Sequence, residues 1–415
     1  MASLTNGRFS SRALGKDGRA ALLLGAASLL GPIGGFAANI VYARTLGPSG
    51  RGELAAVVAA LAVCEAVLVF GFPDVLTRHV SRKTISASAL RRVLIIGVAG
   101  SMVPAAIVWW WAIDRSFEPL SAATAAAVVP IATIAALGRG VLAGRRAFRR
   151  LIGVVLAGGV VRLIAPGILL LANRDDPNLA LILIAGSTAV ASIPVLLARP
   201  FKAPITSQPE EFRRIGHEAL TLWPANLAWS LNSRLDQLVL ATLIAPDQLG
   251  IYAVCVTLAE LPVVLASGLR QIIIVRVSER GGAAGVIKAT NTILIAGILI
   301  SSASLMVGGP LMGWVFGSAF DSAAQVLASL ILASAFIIAA GLVNSTLIAR
   351  GLGRLTVVSQ GSGLIMSVAL LLVVVPLGGG ILGAALVNVV TYACVYTVAR
   401  VIANRSTLSI VTGGS

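Results

Sequence analysis

The sequence is short of charged residues, and this shortage excludes an ordinary soluble protein. Asp, Glu, Lys and Arg make up 12% of the 415 residues, while 57% are hydrophobic. A soluble domain carries about 25% charged residues. Half of that charge leaves too little polar surface to face water, so we infer that lipid surrounds most of the chain. Long apolar runs agree, because a helix that spans a bilayer needs about 20 such residues.

Residue types that carry common chemistry are also scarce. The two histidines, His79 and His217, are far apart and lie outside the apolar runs, so no metal site is expected. The three cysteines lie inside apolar runs, where we interpret them as small core residues rather than disulfide or metal ligands. The sequence has no Gly-x-x-x-x-Gly-Lys-Ser/Thr run, which excludes a phosphate-binding loop and its ATPase domain.

Apolar runs separated by charged or turn-forming stretches predict an all-α integral membrane protein with about twelve transmembrane helices. An even number of spans places both termini on one side of the membrane. The loops on the other side are short, which argues against a membrane glycosyltransferase or polymerase, since such enzymes need room there for a sugar. Neither enzyme activity nor a cofactor is expected. The predicted spans are 20–44, 53–76, 91–112, 120–142, 151–172, 178–198, 217–244, 250–271, 286–309, 322–348, 355–375 and 380–402.

The net charge of +16 tests this topology. In a soluble protein it would suggest nucleic acid as a partner. Here we interpret the basic residues as marks of cytoplasmic loops, and no nucleic acid is expected. Most of the 32 Lys and Arg residues lie in the stretches on the side of the termini, which predicts cytoplasmic N and C termini in a multi-pass cell-membrane protein. The exceptions are Arg162 and Arg234 within spans, and Arg44, Arg51, Arg115 and Arg174 on the outer side.

An internal repeat divides the spans into two sets of six. A polar, Pro-containing stretch at 199–218 is predicted to be a cytoplasmic linker between an N-terminal lobe, 1–198, and a C-terminal lobe, 219–415. Lobes of six helices keep the same orientation, so a pseudo-twofold axis along the membrane normal would relate them, as in many transporters. The turns after spans one and seven share a pattern that aligns without gaps, pairing Pro48 with Pro246, Gly52 with Gly250 and Ala55 with Ala253.

Span seven is amphipathic within the membrane. Asn226, Asn232, Arg234 and Asp236 fall within one broad arc of the helix, and leucines fill the opposite arc. Such a polar face must meet protein or water rather than lipid tails. It favours a cavity wall over the alternatives, which are a buried ion pair between helices or a helix end whose side chains reach the membrane surface.

Span one, the repeat partner of span seven, also has a polar face, which is formed by smaller residues. Asn39 and Tyr42 share a face with several glycines, and Pro32 beside Gly31 supplies a candidate hinge. This face suits a cavity wall or simple close packing of helices.

Three further charges lie within predicted spans. Glu65 in span two and Glu260 in span eight fall at similar places in the repeat, so they are expected to face a common centre. Each could carry a proton, or could be a neutral residue that is hydrogen-bonded to a neighbouring helix. Arg162 in span five should either pair with a carboxylate or meet an anionic substrate.

Several segments resemble one family of transporters. Residues 42–55 look like the first-loop motif of polysaccharide flippases in the multidrug/oligosaccharidyl-lipid/polysaccharide exporter superfamily. Residues 70–81 are similar to the end of their second helix, 236–240 with 249–253 to their span-seven region, and 315–320 to their ninth loop. These motifs are short, but they follow one another at family-like spacing over the whole chain.

The resemblance implies a twelve-helix, two-lobed flippase of undecaprenyl-diphosphate-linked oligosaccharides that works by alternating access through a cationic cavity. It implies membrane lipids and a lipid-linked sugar as partners, with a polysaccharide polymerase and glycosyltransferases as further candidates. A lipid II flippase is less favoured, because those proteins usually have fourteen helices. A multidrug or cation antiporter shares the twelve-helix plan but matches the motifs less well.

We therefore assign hypothetical roles to the polar residues within the spans. Glu65 and Glu260 are candidates for coupling transport to protons, with a sodium gradient and the membrane potential as other possible driving forces. Arg234 and Arg162 would attract the diphosphate, and Asn226, Asn232 and Asn39 would bind sugar hydroxyls. The full set of candidate cavity residues is Arg234, Arg162, Asn226, Asn232, Asp236, Asn39 and Tyr42.

Overall fold

The structure is a computed structural model that describes residues 16–68, 71–81, 85–145, 147–172, 175–197, 209–280, 284–349 and 352–412. These residues form twelve α-helices, with 3-10 turns at Ser318–Ala323 and Gly353–Leu355 and a π turn at Val375–Gly379. The helices are α1 (Lys16–Leu68), α2 (Phe72–Ser81), α3 (Ala87–Asp114), α4 (Pro119–Gly144), α5 (Phe148–Ala172), α6 (Pro177–Leu197), α7 (Pro209–Leu243), α8 (Pro246–Arg280), α9 (Ala284–Phe316), α10 (Ala324–Ala349), α11 (Thr356–Val374) and α12 (Gly380–Thr412).

Predicted spans one and two both lie in α1, which is broken at Gly47. Gly47 has φ 66°, a backbone conformation that glycine adopts without strain. Beyond it the chain folds back, since the Arg51 side chain reaches Asn39 at 2.6 Å. Twelve residues of straight helix would hold these residues about 18 Å apart. The second half of α1 together with α2 therefore forms span two, and α3 to α12 correspond to the ten later spans.

The described part of the chain contains eight helical segments that are long and apolar enough to cross a membrane. One of them, Thr356–Arg405, combines α11 and α12. The outer surface agrees with a lipid environment: Leu171 is 90% exposed, Met306 83% and Leu377 81%. The chain is a multi-pass membrane protein, as its composition predicted.

Two six-helix lobes are visible in the pattern of helix packing. In the first half α3 packs on α4, α4 on α6, and α5 on both α6 and α1. In the second half α9 packs on α10, α10 on α12, and α11 on both α12 and α7. Each pair recurs six helices later, as a parallel repeat requires. The proposed boundaries at 198 and 218 stay a prediction; residues 198–208 lie outside the described chain, and the linker is helical from Pro209 onward.

The lobes meet most closely where the two repeated turn motifs face each other. A Cβ atom added to Gly52 would lie 1.7 Å from the carbonyl oxygen of Pro246, and one added to Gly250 would lie 1.9 Å from that of Pro48. The contact is thus backbone against backbone and reciprocal across the pseudo-twofold axis. We call it the Gly52–Gly250 crossing; it closes the bundle at the end where α1 turns at Gly47.

At the opposite end of the bundle the lobes are joined by charge and by apolar packing. Glu218, in the first third of α7, forms an ion pair with Arg78 and a hydrogen bond with His79 at 2.8 Å, and both partners belong to α2. Ile215 and Ala219 pack into the apolar cluster formed by α2, α3 and α4. The first part of α7 therefore rests on the N-terminal lobe, while its last part enters the C-terminal lobe.

Candidate functional site

A cavity of about 320 Å³ lies between the lobes, with walls from α1, α5, α7 and α8. We call it the central cavity. Its apolar walls include Phe36 and Val58, and small residues such as Gly35 leave it room. The polar residues that line it are Asn39, Arg51, Arg162, Arg234, Gln237, Thr257 and Glu260.

Arg51 is the residue that sequence reasoning placed wrongly. It was expected in a stretch on the outer side, but it is buried and lines the central cavity. Its Nη2 donates to Asn39 Oδ1 at 2.6 Å, while its Nε is buried without a hydrogen-bond partner among the described residues. The helix restarts directly after Gly47, so Arg51 lies in its first turn. The sequence did contain a pattern that could have indicated this position: Arg51, Ala55 and Val58 are spaced so that they share one face of a helix.

Arg234 of α7 forms a two-bond ion pair with Glu260 of α8. The Nη1 to Oε1 distance is 2.8 Å and the Nη2 to Oε2 distance is 3.2 Å. Bidentate pairs of this kind are among the stronger charge-assisted hydrogen bonds. The pair borders both the central cavity and a second cavity of about 230 Å³ inside the C-terminal lobe. Arg234 is thus at once an ion-pair partner and part of a cavity wall.

Arg162 of α5 also lines the central cavity, and no described residue forms an ion pair with it. Glycines bring α5 close to α1 nearby: a Cβ atom on Gly34 would lie 3.0 Å from the carbonyl oxygen of Gly159. Small residues of this kind permit close approach of membrane helices. Together with Arg51 and Arg234, Arg162 makes the central cavity a cationic one.

Asp236 lies deeper in the C-terminal lobe, in a buried hydrogen-bond network. Its Oδ2 accepts from the Tyr252 hydroxyl at 2.5 Å and from Asn388 Nδ2 at 2.7 Å. Its Oδ1 accepts from the backbone N–H of Gln237 at 2.8 Å. Asp236 and Asn388 line the C-terminal-lobe cavity rather than the central one.

Asn232 belongs to the same interior. Its Nδ2 donates to the carbonyl oxygen of Gln360 at 3.0 Å, and its own carbonyl accepts from the Tyr392 hydroxyl at 2.8 Å. These bonds tie α7 to α11 and α12. The polar face of span seven therefore serves two compartments, with Asn232 and Asp236 on one and Arg234 on both.

The candidates from span one are divided as well. Asn39 lines the central cavity and also donates to the carbonyl oxygen of Gly35 at 2.9 Å. Tyr42 is buried in an apolar cluster of the N-terminal lobe. The side chains of Pro32 and Asn226 lie outside the described residues; the backbone is helical at Pro32, and the break in α1 occurs at Gly47.

Glu65 and Glu260 were expected to face a common centre, but the structure separates them. Glu260 lines the central cavity, whereas Glu65 lines a third cavity of about 540 Å³ that is formed mainly by the N-terminal lobe. Their matching places in the repeat predicted similar positions within each lobe. They did not predict which cavity each residue lines, because that depends on how the lobes dock.

The arrangement suits an anion. Three guanidinium groups, from Arg51, Arg162 and Arg234, line one cavity against the single carboxylate of Glu260. Guanidinium groups bind phosphate oxygens in a two-pronged geometry. Within the described chain no group of three or more His, Cys, Asp or Glu residues could hold a metal ion.

Residues 18–273 match the family described as polysaccharide biosynthesis protein. The chain belongs to this family. The match covers the N-terminal lobe from residue 18 onward and continues through α7 into α8, and so includes every residue that lines the central cavity. None of the curated proteins matches the chain.

Solved structures of related transporters share the fold of this family member. An inward-facing multidrug resistance MATE family transporter of the MOP superfamily matches with a TM-score of 0.70 and 13% identity, over 92% of this chain and 98% of that one. The lipid II flippase MurJ, in an inward closed conformation, matches with a TM-score of 0.73 and 12% identity, over 91% and 86%. A MOP superfamily transporter from Pyrococcus furiosus matches at 0.62 and 14%, over 94% and 97%. At these identities the matches show the fold.

Proposed function

We propose that this protein flips a polyprenyl-diphosphate-linked oligosaccharide from the cytoplasmic to the outer leaflet of the cell membrane, for the synthesis of a surface polysaccharide. The main support for this proposal is the central cavity, where three arginines and one glutamate line the interface of the lobes. A diphosphate would bind there through Arg51 and Arg162, and through Arg234 once Glu260 releases it. The polyprenyl tail would stay in the bilayer, beside the apolar outer surface.

The position of the cavity supports alternating access. It lies between two lobes that are closed at one end by the Gly52–Gly250 crossing. Rocking of the lobes about this interface would open the cavity to one side and then to the other, as in other transporters built from repeats. We place the crossing on the outer side and both termini in the cytoplasm, following the distribution of basic residues.

Flipping is tested in vesicles of phosphatidylethanolamine and phosphatidylglycerol that contain a labelled polyprenyl diphosphate bearing a short glycan. We expect the protein to bring the glycan to an impermeant sugar-modifying reagent faster than protein-free vesicles do. An unchanged rate would remove the proposal. Exchange of a cationic dye would instead indicate a multidrug antiporter. Transport of lipid II alone would indicate that cargo, and sugar incorporation in detergent would indicate a glycosyltransferase or polymerase.

We further propose that protons drive transport through Glu260. A proton on its carboxylate would dissolve the ion pair with Arg234 and free that guanidinium for the diphosphate. We expect an imposed proton gradient to change the flipping rate of the wild type. The flipping rate of Glu260→Gln should not depend on the gradient.

The matched control is Glu53→Gln, which removes a half-buried carboxylate elsewhere on α1 and should keep the response to the gradient. A response that survives in Glu260→Gln would assign coupling to another group. If the wild-type flipping rate depends on a sodium gradient or on an imposed membrane potential and not on pH, then that gradient or potential, rather than protons, drives transport.

A further inference from the structure

The cavity formed mainly by the N-terminal lobe is larger than the central cavity, at about 540 Å³ against about 320 Å³. We call it the N-lobe pocket. Its volume lies within the range of about 300–1,000 Å³ that is typical of small-molecule sites. Small residues of α1 and α4, with Pro73 and Leu151, form its apolar walls, and its polar lining consists of Glu65, Thr77, Thr133, Arg139 and Ser230.

The carboxylate of Glu65 and the guanidinium of Arg139 both line this pocket, but they do not form an ion pair with each other. Glu65 lines the pocket together with Arg139, while Arg162 lines the neighbouring central cavity. Yet among the described residues no hydrogen bond or ion pair within 4.0 Å joins Glu65 to either of them. An ion pair would be the default partner for a charge at this depth. The gap leaves room for a ligand that contacts both groups.

The N-lobe pocket continues the central cavity along two helices. On α1, Ala55 and Val58 line the central cavity, and Ala62 and Glu65, on the next turns of the same face, line the pocket. On α7, Ser230 of the pocket precedes Arg234 of the central cavity by four residues, a rise of about 6 Å. Both helices place the pocket on the side of the central cavity that faces away from the Gly52–Gly250 crossing.

The chemistry of the lining selects a neutral polyol. A carboxylate accepts from hydroxyl groups, a guanidinium donates to them, and a threonine or serine hydroxyl does both. Thr77 donates to the carbonyl oxygens of Pro73 and Gly140 and so keeps lone pairs free to accept. An anion would pair with Arg139 but be repelled by Glu65, and a cation the reverse, whereas the hydroxyl groups of a neutral sugar can hydrogen-bond to both. The alanines offer flat apolar surface to the C–H faces of a sugar ring.

We propose that the N-lobe pocket binds the glycan of the transported lipid, at the sugars beyond the one attached to the diphosphate. This inference rests on the proposed function, because it takes the diphosphate to lie in the central cavity. It makes the pocket a selector of glycan length and structure. Glu65 then acts as a hydrogen-bond acceptor for the cargo and not as a proton carrier.

The test compares two cargoes in the vesicle assay: a polyprenyl diphosphate with one N-acetylhexosamine, and the same carrier with a linear tetrasaccharide. Glu65→Gln removes the acceptor charge without changing shape, and Ala136→Leu fills the pocket. We expect both variants to slow the tetrasaccharide about tenfold, corresponding to about 1.4 kcal/mol of lost binding. The single-sugar cargo should flip at the wild-type rate.

The matched controls are Ala106→Leu, at a lipid-exposed position of α3, and Glu53→Gln. Both should flip both cargoes normally. Equal slowing of the two cargoes by the pocket variants, or unchanged rates for both, would overturn the glycan site while leaving the flippase proposal intact. If the wild type flips neither cargo, the proposed function itself fails, and the glycan site with it.

Discussion

Gly52→Ala and Gly250→Ala should each reduce flipping by about fivefold to 150-fold. The added methyl group would lie 1.7 Å from the Pro246 carbonyl oxygen in the first variant and 1.9 Å from the Pro48 carbonyl oxygen in the second. A backbone carbonyl cannot rotate away as a flexible side chain can. Overpacking typically costs about 1–3 kcal/mol, which corresponds to a factor of about 5 to 150 in the population of the closed state.

The mechanism of this loss can be separated from misfolding. If the crossing closes the outer side, the variants should favour an open outer side, and a cysteine replacing Thr257 in the central cavity should react with an impermeant maleimide added outside. The comparison requires a background that lacks the three native cysteines.

Gly100→Ala and Gly186→Ala are the controls, because an added Cβ meets nothing within 4 Å at either position. They should flip normally and leave the cysteine protected. Wild-type flipping by both crossing variants, with monodisperse protein in each case, would show that the lobes do not need this close approach.

Arg51→Gln is expected to weaken binding and flipping of a diphosphate cargo by about tenfold to hundredfold. A hydrogen bond to a charged group contributes about 1.5–3 kcal/mol, and the Arg51 side chain lines the central cavity, where its guanidinium can form such a bond. The flipping rate of Arg51→Lys should lie between those of the wild type and Arg51→Gln, because lysine keeps the charge but loses the two-pronged geometry. Initial flipping rates at increasing cargo density in the vesicle provide the measurement.

The control for Arg51 is Arg91→Gln, at an exposed position near the start of α3. It removes the same charge far from the cavity and should have no effect. Arg51→Gln combined with Arg234→Gln should be slower than either single variant. Unchanged rates in the double variant would mean that the cationic cavity does not bind the diphosphate.

Much of the architecture follows from local pattern. Hydropathy placed the spans close to the observed helices, for example 322–348 against Ala324–Ala349 in α10. Each span must satisfy its own backbone within lipid, so the pattern that defines it lies within about 20 consecutive residues. The six-helix repeat was visible for the same reason, since matching turns after spans one and seven need only local residues.

The candidate site was predicted less completely. The sequence indicated polar faces on spans one and seven and the charges at Arg162, Arg234, Glu65 and Glu260. It did not show that Glu260 pairs with Arg234, because the two residues belong to different helices and their meeting depends on helix rotation. Arg51 was missed because it directly follows a turn. It precedes the predicted start of span two at residue 53, so it was assigned to the outer loop.

The sequence by itself determined that this is a lipid-embedded, twelve-span, two-lobed protein with charges inside its spans, because composition and periodicity are properties of each segment. Only the tertiary structure decided which of those charges share a cavity. It also showed that Gly52 and Gly250, recognised first as turn residues, are where the lobes touch. Close approach of two backbones depends on segments about 200 residues apart along the chain, and no local pattern carries that information.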